Sequence, residues 1–181
     1  MAGSSGVWKL VREFPIDYDF SESKNELVKR ILVDELKLEA IKDISKEEDG
    51  IKEDKDYACL RGGKWIRVES KVRRKEWDDV LFEIWSDEDR RKPGWFLTSK
   101  AQLFFYAFRV GRGLKYFIWR FYELRDWWDK NFYRGWEPVR SVNKGYVTLS
   151  YAVPLKEVEQ LAMAKGGTLK EGNGIWEALK E

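Results

Sequence analysis

The sequence predicts a single α/β domain, with a central mixed β-sheet and helices on both sides of it. Three observations predict this class: an amphipathic helix near the N-terminus, several later segments with alternating apolar side chains, and a second helix between such segments. A chain of 181 residues that is 43% apolar can bury one sizeable core. We expect the domain at residues 21–165, after a leader with a short strand (1–20) and before a tail with a short helix (166–181).

The first helix is predicted to begin at Ser21 or Ser23 and to run to about Leu38. Either serine can accept a hydrogen bond from the first turn, and apolar residues then repeat at helical spacing on one face. Before the helix we expect a short strand at Val7–Arg12 and a loop at Pro15–Phe20. Residues 42–55 are mostly charged and are predicted to form an exposed loop.

Residues 56–72 are predicted to form a β-hairpin around the turn residues Gly62 and Gly63. Side chains two apart in a strand share a face, so Glu69 and Lys71 point the same way. Pairing of the two runs puts Asp56 beside Glu69, and two carboxylates and an ammonium then converge. Such a group suits a hard cation such as Mg2+, with a lysine that orients or deprotonates water. The alternative is the solvated face of an amphipathic strand.

The remaining elements follow from alternation, glycines and prolines. Gly111 and Gly113 form a turn between two aromatic strands, and Pro154 suits the first position of a helix. The predicted elements are a strand at Val80–Trp85, a charged turn at Asp87–Lys92, strands at Leu103–Val110 and Leu114–Phe121, a helix at Tyr122–Phe132, a strand at Tyr146–Ala152, a helix from Pro154 to about Ala164, and a tail that is loose until Ile175–Leu179.

The amino-acid composition limits the kinds of catalytic site that the chain can form. The chain has no histidine and one cysteine, which removes histidine-dependent hydrolases and cysteine-rich zinc sites and is typical of a reducing compartment. A catalytic site must therefore use carboxylates, lysine, arginine, tyrosine or hydroxyls. The N-terminus lacks the features of a secretory signal, and no run of about 18 apolar residues exists. We therefore expect a cytoplasmic protein with no membrane partner.

The net charge of +2 hides an internal asymmetry. Residues 21–60 carry twelve acids and eight bases, whereas residues 61–75 carry seven bases and one acid. Such a basic cluster is what nucleic-acid binding needs, although a solvated surface of a charge-rich protein is the alternative. The nucleic-acid-binding candidates in this cluster are Arg61, Lys64, Arg67, Arg73, Arg74 and Lys75. Among the ten tryptophans, Trp77 and Trp95 lie in turn-like segments beside basic residues and are the candidates for contact with a substrate.

An acid at Asp56, a turn, and then Glu69-x-Lys71 on the next strand resemble the signature of the PD-(D/E)XK nuclease superfamily. The segment Val80–Phe108, with its Lys92-Pro93-Gly94 turn, Thr98-Ser99-Lys100-Ala101 and aromatic strand, is similar to small, mostly phage-encoded, uncharacterised members of that superfamily. The resemblance covers about residues 20–130. The chain departs from the pattern at Ser70, where an apolar residue is usual, and at Lys55 before the first acid.

The resemblance implies a restriction-endonuclease-like fold and a Mg2+- or Mn2+-dependent deoxyribonuclease. Asp56 and Glu69 would bind the metal, and Lys71 would complete the catalytic group. It also implies that Glu26 on the first helix reaches the surroundings of the metal, although an acid that complements the helix dipole is the favoured alternative. Alternation places Glu83 on the face of the site or on a solvent-exposed face, and Lys100 is either a phosphate contact or a surface lysine. The resemblance further implies DNA as partner with RNA as an alternative, a homodimer, and the host cytoplasm for a phage-encoded chain.

Two other classes stay open. One is a catalytically inactive nucleic-acid-binding or virion-associated module with the same fold. The other is a structural interaction protein whose charged strands are solvent-exposed faces.

Overall fold

The computed structural model describes residues 18–48, 50, 55–111 and 113–167. The strand expected at 7–12 and the tail helix expected at 175–179 lie outside these residues. The elements are α1 (Tyr18–Leu36), β1 (Ala40–Asp43), β2 (Tyr57–Arg61), β3 (Lys64–Arg73), β4 (Asp79–Asp87), β5 (Lys92–Pro93), α2 (Trp95–Thr98), β6 (Leu103–Val110), β7 (Gly113–Arg120), α3 (Phe121–Asn131), a 3-10 turn (Phe132–Arg134), β8 (Glu137–Asn143), β9 (Tyr146–Pro154), α4 (Leu155–Val158), a second 3-10 turn (Glu159–Leu161) and β10 (Ala164–Gly166).

Six strands form a mixed sheet in the order β1-β2-β3-β6-β7-β10. Strands β3 and β6 are parallel, and the other neighbours in this sheet are antiparallel. A parallel pair needs a long crossover, which residues 74–102 provide. The chain is therefore an α/β protein with a mixed sheet, as the sequence predicts.

Helix α1 covers one face of this sheet. Val28, Ile31, Leu32 and Leu36 repeat at helical spacing and are at most 1% exposed, so they form the buried stripe of the helix. They pack against sheet residues from the even-numbered positions of β3, from the odd-numbered positions of β6 and from β2 and β7, including Val68 and Phe105. This packing fixes the helix rigidly across the strands that carry the candidate site.

The other face of the six-stranded sheet is covered by a second sheet. Its strands run in the order β5-β4-β9-β8, and they enclose an aromatic core together with α2 and α3. Phe104 and Trp119 from the first sheet lie in this core with Phe82 of β4 and Trp128 of α3, and each is at most 5% exposed. The expectation of one central sheet with helices on both sides is therefore corrected. Strands β6 and β7 are apolar on both faces, so both faces need a covering layer.

The strand predicted at Val80–Trp85 exists as β4, but it pairs with β5 and β9 and not with the hairpin. Two further boundaries differ from prediction. Helix α1 begins at Tyr18, inside the expected loop 15–20, and β1 occupies the start of the expected loop 42–55. The helix predicted from Pro154 to Ala164 is only the four-residue α4, because Ala164–Gly166 pairs with β7 as an edge strand.

Within the residues that the structure describes, no helix combines the length and the apolar character that crossing a membrane requires.

Candidate functional site

The candidate site lies where β2 begins and β3 continues past it. The hairpin turn uses Gly62 and Gly63 at φ 56° and 69°, a backbone region that glycine enters without strain. The register pairs Tyr57 with Val68, so Asp56 stands opposite Glu69 just before β2 starts. Residues 70–73 then extend beyond the end of β2 and pair only with β6 on their other side. The hairpin thus leaves an open notch beside the end of β3.

Glu69 and Lys71 share the face of β3 that points toward the aromatic core. Glu69 is only 2% exposed, and its Oε1 lies 2.6 Å from the Nζ of Lys71, whose side chain is 38% exposed. The ammonium of Lys71 also lies 5.1 Å from the centre of the Trp95 ring. Glu69 is therefore a buried carboxylate whose charge is balanced by a lysine that reaches the surface.

Three carboxylates determine the protonation of Lys71. Burial acts to lower the pKa of this lysine, but the negative charges of Glu69, Asp56 and Glu83 outweigh it and raise the pKa above its ordinary value. Lys71 therefore stays protonated at neutral pH. In this protonated form Lys71 can position other groups and balance their charge, but it cannot accept a proton from water.

Asp56 is held by Ser70. The backbone N–H and the hydroxyl of Ser70 both donate to Oδ2 of Asp56, each at 2.8 Å. Ser70 lies on the α1 side of β3, opposite to Glu69 and Lys71. The residue that departs from the superfamily pattern is thus the one that orients the first acid.

A polar cleft of about 360 Å³ opens at this notch. Helix α1 contributes two residues, the end of β1 and the loop after it contribute one each, and the hairpin with the residue before it supplies the rest. The lining residues are Lys24, Asn25, Asp43, Ser45, Asp56, Tyr57, Ser70, Lys71 and Val72. Asp43 accepts hydrogen bonds from the N–H and hydroxyl of Ser45, at 3.0 and 2.7 Å. A cleft with lysines, carboxylates and hydroxyls suits a small charged group.

Lys24 is a site residue that the sequence reasoning missed. Burial lowers its pKa most, Asp56 opposes this effect and Lys71 adds to it. The signal was present, because Lys24 precedes Val28 by four residues and Ile31 by seven, on the buried face of α1. A lysine on that face indicates either a partner or a ligand.

The two acids proposed as neighbours differ in position. Glu26 is exposed and pairs with Lys29 at 2.5 Å, on the same helix but outside the cleft lining. Glu83 is half-buried on β4, and its Oε1 accepts a hydrogen bond of 3.3 Å from the N–H of Trp95. Its charge acts on Lys71 across the sheets. A Cβ on Gly94 would lie 2.5 Å from the Glu83 backbone oxygen, so this close approach requires glycine.

The basic candidates are spread along β3 and do not form one patch. Arg61 and Lys64 are exposed at the hairpin tip, whereas Arg73 lies at the other end, roughly 30 Å away at 3.3 Å per residue. Arg73 forms an ion pair with Asp79. Arg74 is half-buried, Lys75 is exposed, and Arg67 is half-buried with its guanidinium 6.0 Å from the Trp65 ring.

Three candidate contact residues lie in different settings. Lys100 is exposed in the loop before β6. Trp77 is 39% exposed, with the Arg73 guanidinium 5.0 Å from its ring centre. Trp95 is only 8% exposed and belongs to the core. Its ring lies close to the ammonium of Lys71 and is not accessible to a substrate.

Among the described residues, no group of three or more cysteine, aspartate or glutamate side chains is arranged to hold a metal ion. Comparison of the chain with protein-family models, with curated proteins and with solved structures finds no match in any of the three. The functional interpretation therefore depends on the geometry of the cleft and on the residues around it.

Proposed function

We propose that this chain is a divalent-metal-dependent nuclease with a restriction-endonuclease-like fold that hydrolyses phosphodiester bonds in DNA. The observation that carries the proposal is that Lys71, which lines the polar cleft together with Asp56, contacts the buried Glu69 at 2.6 Å. The order of helix, acid, hairpin and acid-x-Lys on a mixed sheet supports the same reading. We further propose a homodimer, because a single cleft can cut only one strand at a time.

The donor chemistry fits Mg2+ or Mn2+. Asp56 and Glu69 would hold the ion through carboxylate oxygens, and waters and substrate would fill the other positions, which is how Mg2+ usually binds. Both hydrogen bonds from Ser70 go to Oδ2 of Asp56, and no hydrogen bond from another described residue reaches Oδ1. When bound, the ion would lower the pKa of a coordinated water and offset phosphate charge.

The residues of the chain have separate tasks in this proposal. Lys71 remains protonated, so it orients the phosphate and balances the charge that develops on its oxygens. Ser70 keeps Asp56 turned to the cleft, and Trp95 supports the Lys71 side chain. Glu83 adds negative charge near Lys71 and helps to keep its proton in place.

One observation favours the second candidate, an inactive nucleic-acid-binding or virion-associated module. Glu69 already has an internal cation in Lys71, and Asp56 already has two donors from Ser70. A group of this kind is electrostatically satisfied without a metal. The two candidates differ in activity, because only the nuclease must bind a divalent cation and cleave DNA.

A cleavage assay tests the proposal. The protein is incubated with Mg2+ or Mn2+ and a panel of linear, nicked, branched and single-stranded DNA and of RNA. We expect metal-dependent cleavage of DNA that Asp56→Asn reduces by about a hundredfold or more, as loss of one electrostatic group in a site commonly does. Asparagine can still accept the hydrogen bonds from Ser70, so the variant should fold.

Asp126→Asn is the matched control, because Asp126 lies on α3 in an exposed pair with Lys130. It should leave cleavage unchanged. A wild-type protein that binds DNA and cleaves none of the panel with either ion would overturn the nuclease and favour the inactive module. Equal cleavage by wild type and Asp56→Asn would show that the reaction occurs elsewhere.

A further inference from the structure

The two lysines of the cleft differ in what surrounds them. Lys71 has its ion pair with Glu69. Among the residues that the structure describes, the half-buried Lys24 forms neither an ion pair nor a hydrogen bond, and it interacts with Asp56 and Lys71 through their charges. An ammonium that is partly removed from water without a compensating partner is unfavourable. Its place in the cleft therefore calls for a partner from outside.

The position of Lys24 is fixed by the packing of α1. Val28 and Ile31 follow it on the same helix face at four and seven residues, and they are 0% and 1% exposed. Lys24 thus lies on the helix face that carries the buried stripe, one turn before Val28, and it lines the cleft. A cation on a packed helix needs little further ordering to bind a ligand.

The surroundings define the ligand. Burial lowers the pKa of Lys24, and the nearby positive charge of Lys71 acts in the same direction, so an incoming anion would relieve both effects. Asp56 lies in the same cleft and opposes a free anion. A phosphate that arrives together with a divalent cation escapes that repulsion, because the cation neutralises Asp56.

We propose that Lys24 binds a non-bridging oxygen of the substrate phosphodiester, so that α1 and β3 each supply one cation to the cleft. This proposal rests on the proposed nuclease function. Lys24, Asp56 and Lys71 all line the cleft, and Lys71 also contacts Glu69. The phosphate is held from two rigid elements that the same core connects.

Chemical labelling tests the contact without any turnover. The protein is treated briefly with acetic anhydride, and acetylation of Lys24 and of Lys130 is quantified by mass spectrometry. Lys130 is the control, because it is an exposed helical lysine in a surface pair with Asp126. The measurement is repeated with inorganic phosphate, with and without Mg2+, and with a short DNA duplex in EDTA.

We expect phosphate with Mg2+ to lower labelling of Lys24 several-fold while Lys130 stays unchanged, and the duplex in EDTA to lower it less, because no cation then neutralises Asp56. Phosphate alone should protect less than phosphate with Mg2+. Labelling of Lys24 that neither probe changes relative to Lys130 would overturn the proposal.

Variants supply the second measurement. Lys24→Gln should weaken duplex binding about tenfold, which is typical for loss of a charged hydrogen bond. Lys24→Arg should retain most of the binding, because it keeps the charge, and Lys130→Gln should retain all of it. Because Lys24 is a desolvated ammonium, Lys24→Gln should be at least as stable to urea as wild type, so weaker binding would not reflect unfolding.

The outcomes separate this inference from the nuclease proposal. Normal DNA cleavage and binding by Lys24→Gln would overturn the role of Lys24 and leave the nuclease intact. Protection of Lys24 by phosphate in a protein that never cleaves would support the phosphate site and overturn the nuclease.

Discussion

The tip of the β2–β3 hairpin and the end of β3 beside the cleft both carry charged residues, but these residues differ in their exposure to water. At the hairpin tip, Arg61 and Lys64 are exposed beside two glycines. At the other end, Glu69 is 2% exposed and Lys71 is its ion-pair partner. Charge at the tip interacts with water, whereas charge at the cleft end interacts with other charges. The composition of a strand therefore predicts less about its chemistry than the burial of each position.

We expect the largest difference between the two ends of β3 in the free energy of unfolding of variants at each end. Lys71→Ala leaves Glu69 buried without its cation, and we expect a loss of about 3 kcal/mol, at the low end for a broken buried pair because Lys71 is partly exposed. Lys64→Ala at the tip should change stability by about 0.5 kcal/mol or less. Urea unfolding followed by tryptophan fluorescence measures both.

The double variant Glu69→Gln with Lys71→Met provides the control for this comparison. It should recover most of the loss, because no uncompensated charge remains. Equal stability of Lys71→Ala and Lys64→Ala would mean that the buried ion pair does not differ energetically from an exposed lysine.

The ion pair of Lys71 with Glu69 should also make the stability of the folded protein depend on pH. The pKa of Lys71 is raised in the folded protein, so the stabilisation is fully present below the ordinary lysine pKa of about 10.4 and is lost as pH rises through the higher folded value. The stability of wild type relative to that of the Glu69→Gln, Lys71→Met variant should therefore fall above about pH 10.4.

Tyr106, whose pKa burial raises to about 12, titrates in the same range. It is present in both proteins, so its effect cancels in the difference. A difference that stays constant from pH 7 to pH 12 would contradict the prediction.

A smaller effect concerns DNA affinity and salt. If DNA crosses the cleft, neutralising Arg74 and Lys75 together should flatten the dependence of log K on log salt by about 0.9 for each lost phosphate contact. Neutralising Arg61 and Lys64 at the far tip should change the slope less. Fluorescence anisotropy over a range of salt measures both pairs. A larger change from the tip pair would place the DNA along the other end of β3.

The smallest effect should come from the exposed tryptophans. Trp77 lies near the cleft end with the Arg73 guanidinium 5.0 Å from its ring, and Trp65 lies near the tip. Trp77→Ala should weaken binding of single-stranded DNA by about 1 kcal/mol, the lower value for a base stacked on an aromatic ring. Trp65→Ala should leave it nearly unchanged, and the reverse order would contradict the assignment of the cleft end.

The local elements could be predicted well, because they depend on neighbouring residues. The strand at Leu103–Val110 has the predicted bounds, and the hairpin follows from alternation around Gly62 and Gly63. The short helix α4 was overestimated, since pairing of Ala164–Gly166 with β7 is a contact over more than 40 residues. Local propensity carries no information about such a partner.

The second sheet and part of the site could not be predicted from the sequence, because they depend on pairing between strands that are far apart in the chain. Strand β4 alternates as predicted, but its partner β9 lies about 70 residues further along the chain. Alternation alone could not show that β4 would belong to a second sheet, from which the charge of Glu83 acts on Lys71. Lys24 could have been found, because its spacing from Val28 and Ile31 marks the buried face of α1.

Binding of one divalent cation at Asp56 and Glu69 is the central claim of the nuclease proposal. The free Mn2+ signal in electron paramagnetic resonance measures it directly, during titration of wild type, Asp56→Asn and the control Asp126→Asn. We expect one Mn2+ site in wild type and in Asp126→Asn, and at least tenfold weaker binding in Asp56→Asn, since a neutral amide replaces a charged ligand. Binding of Mn2+ that is equally strong in all three proteins, or absent in all three, would contradict the claim.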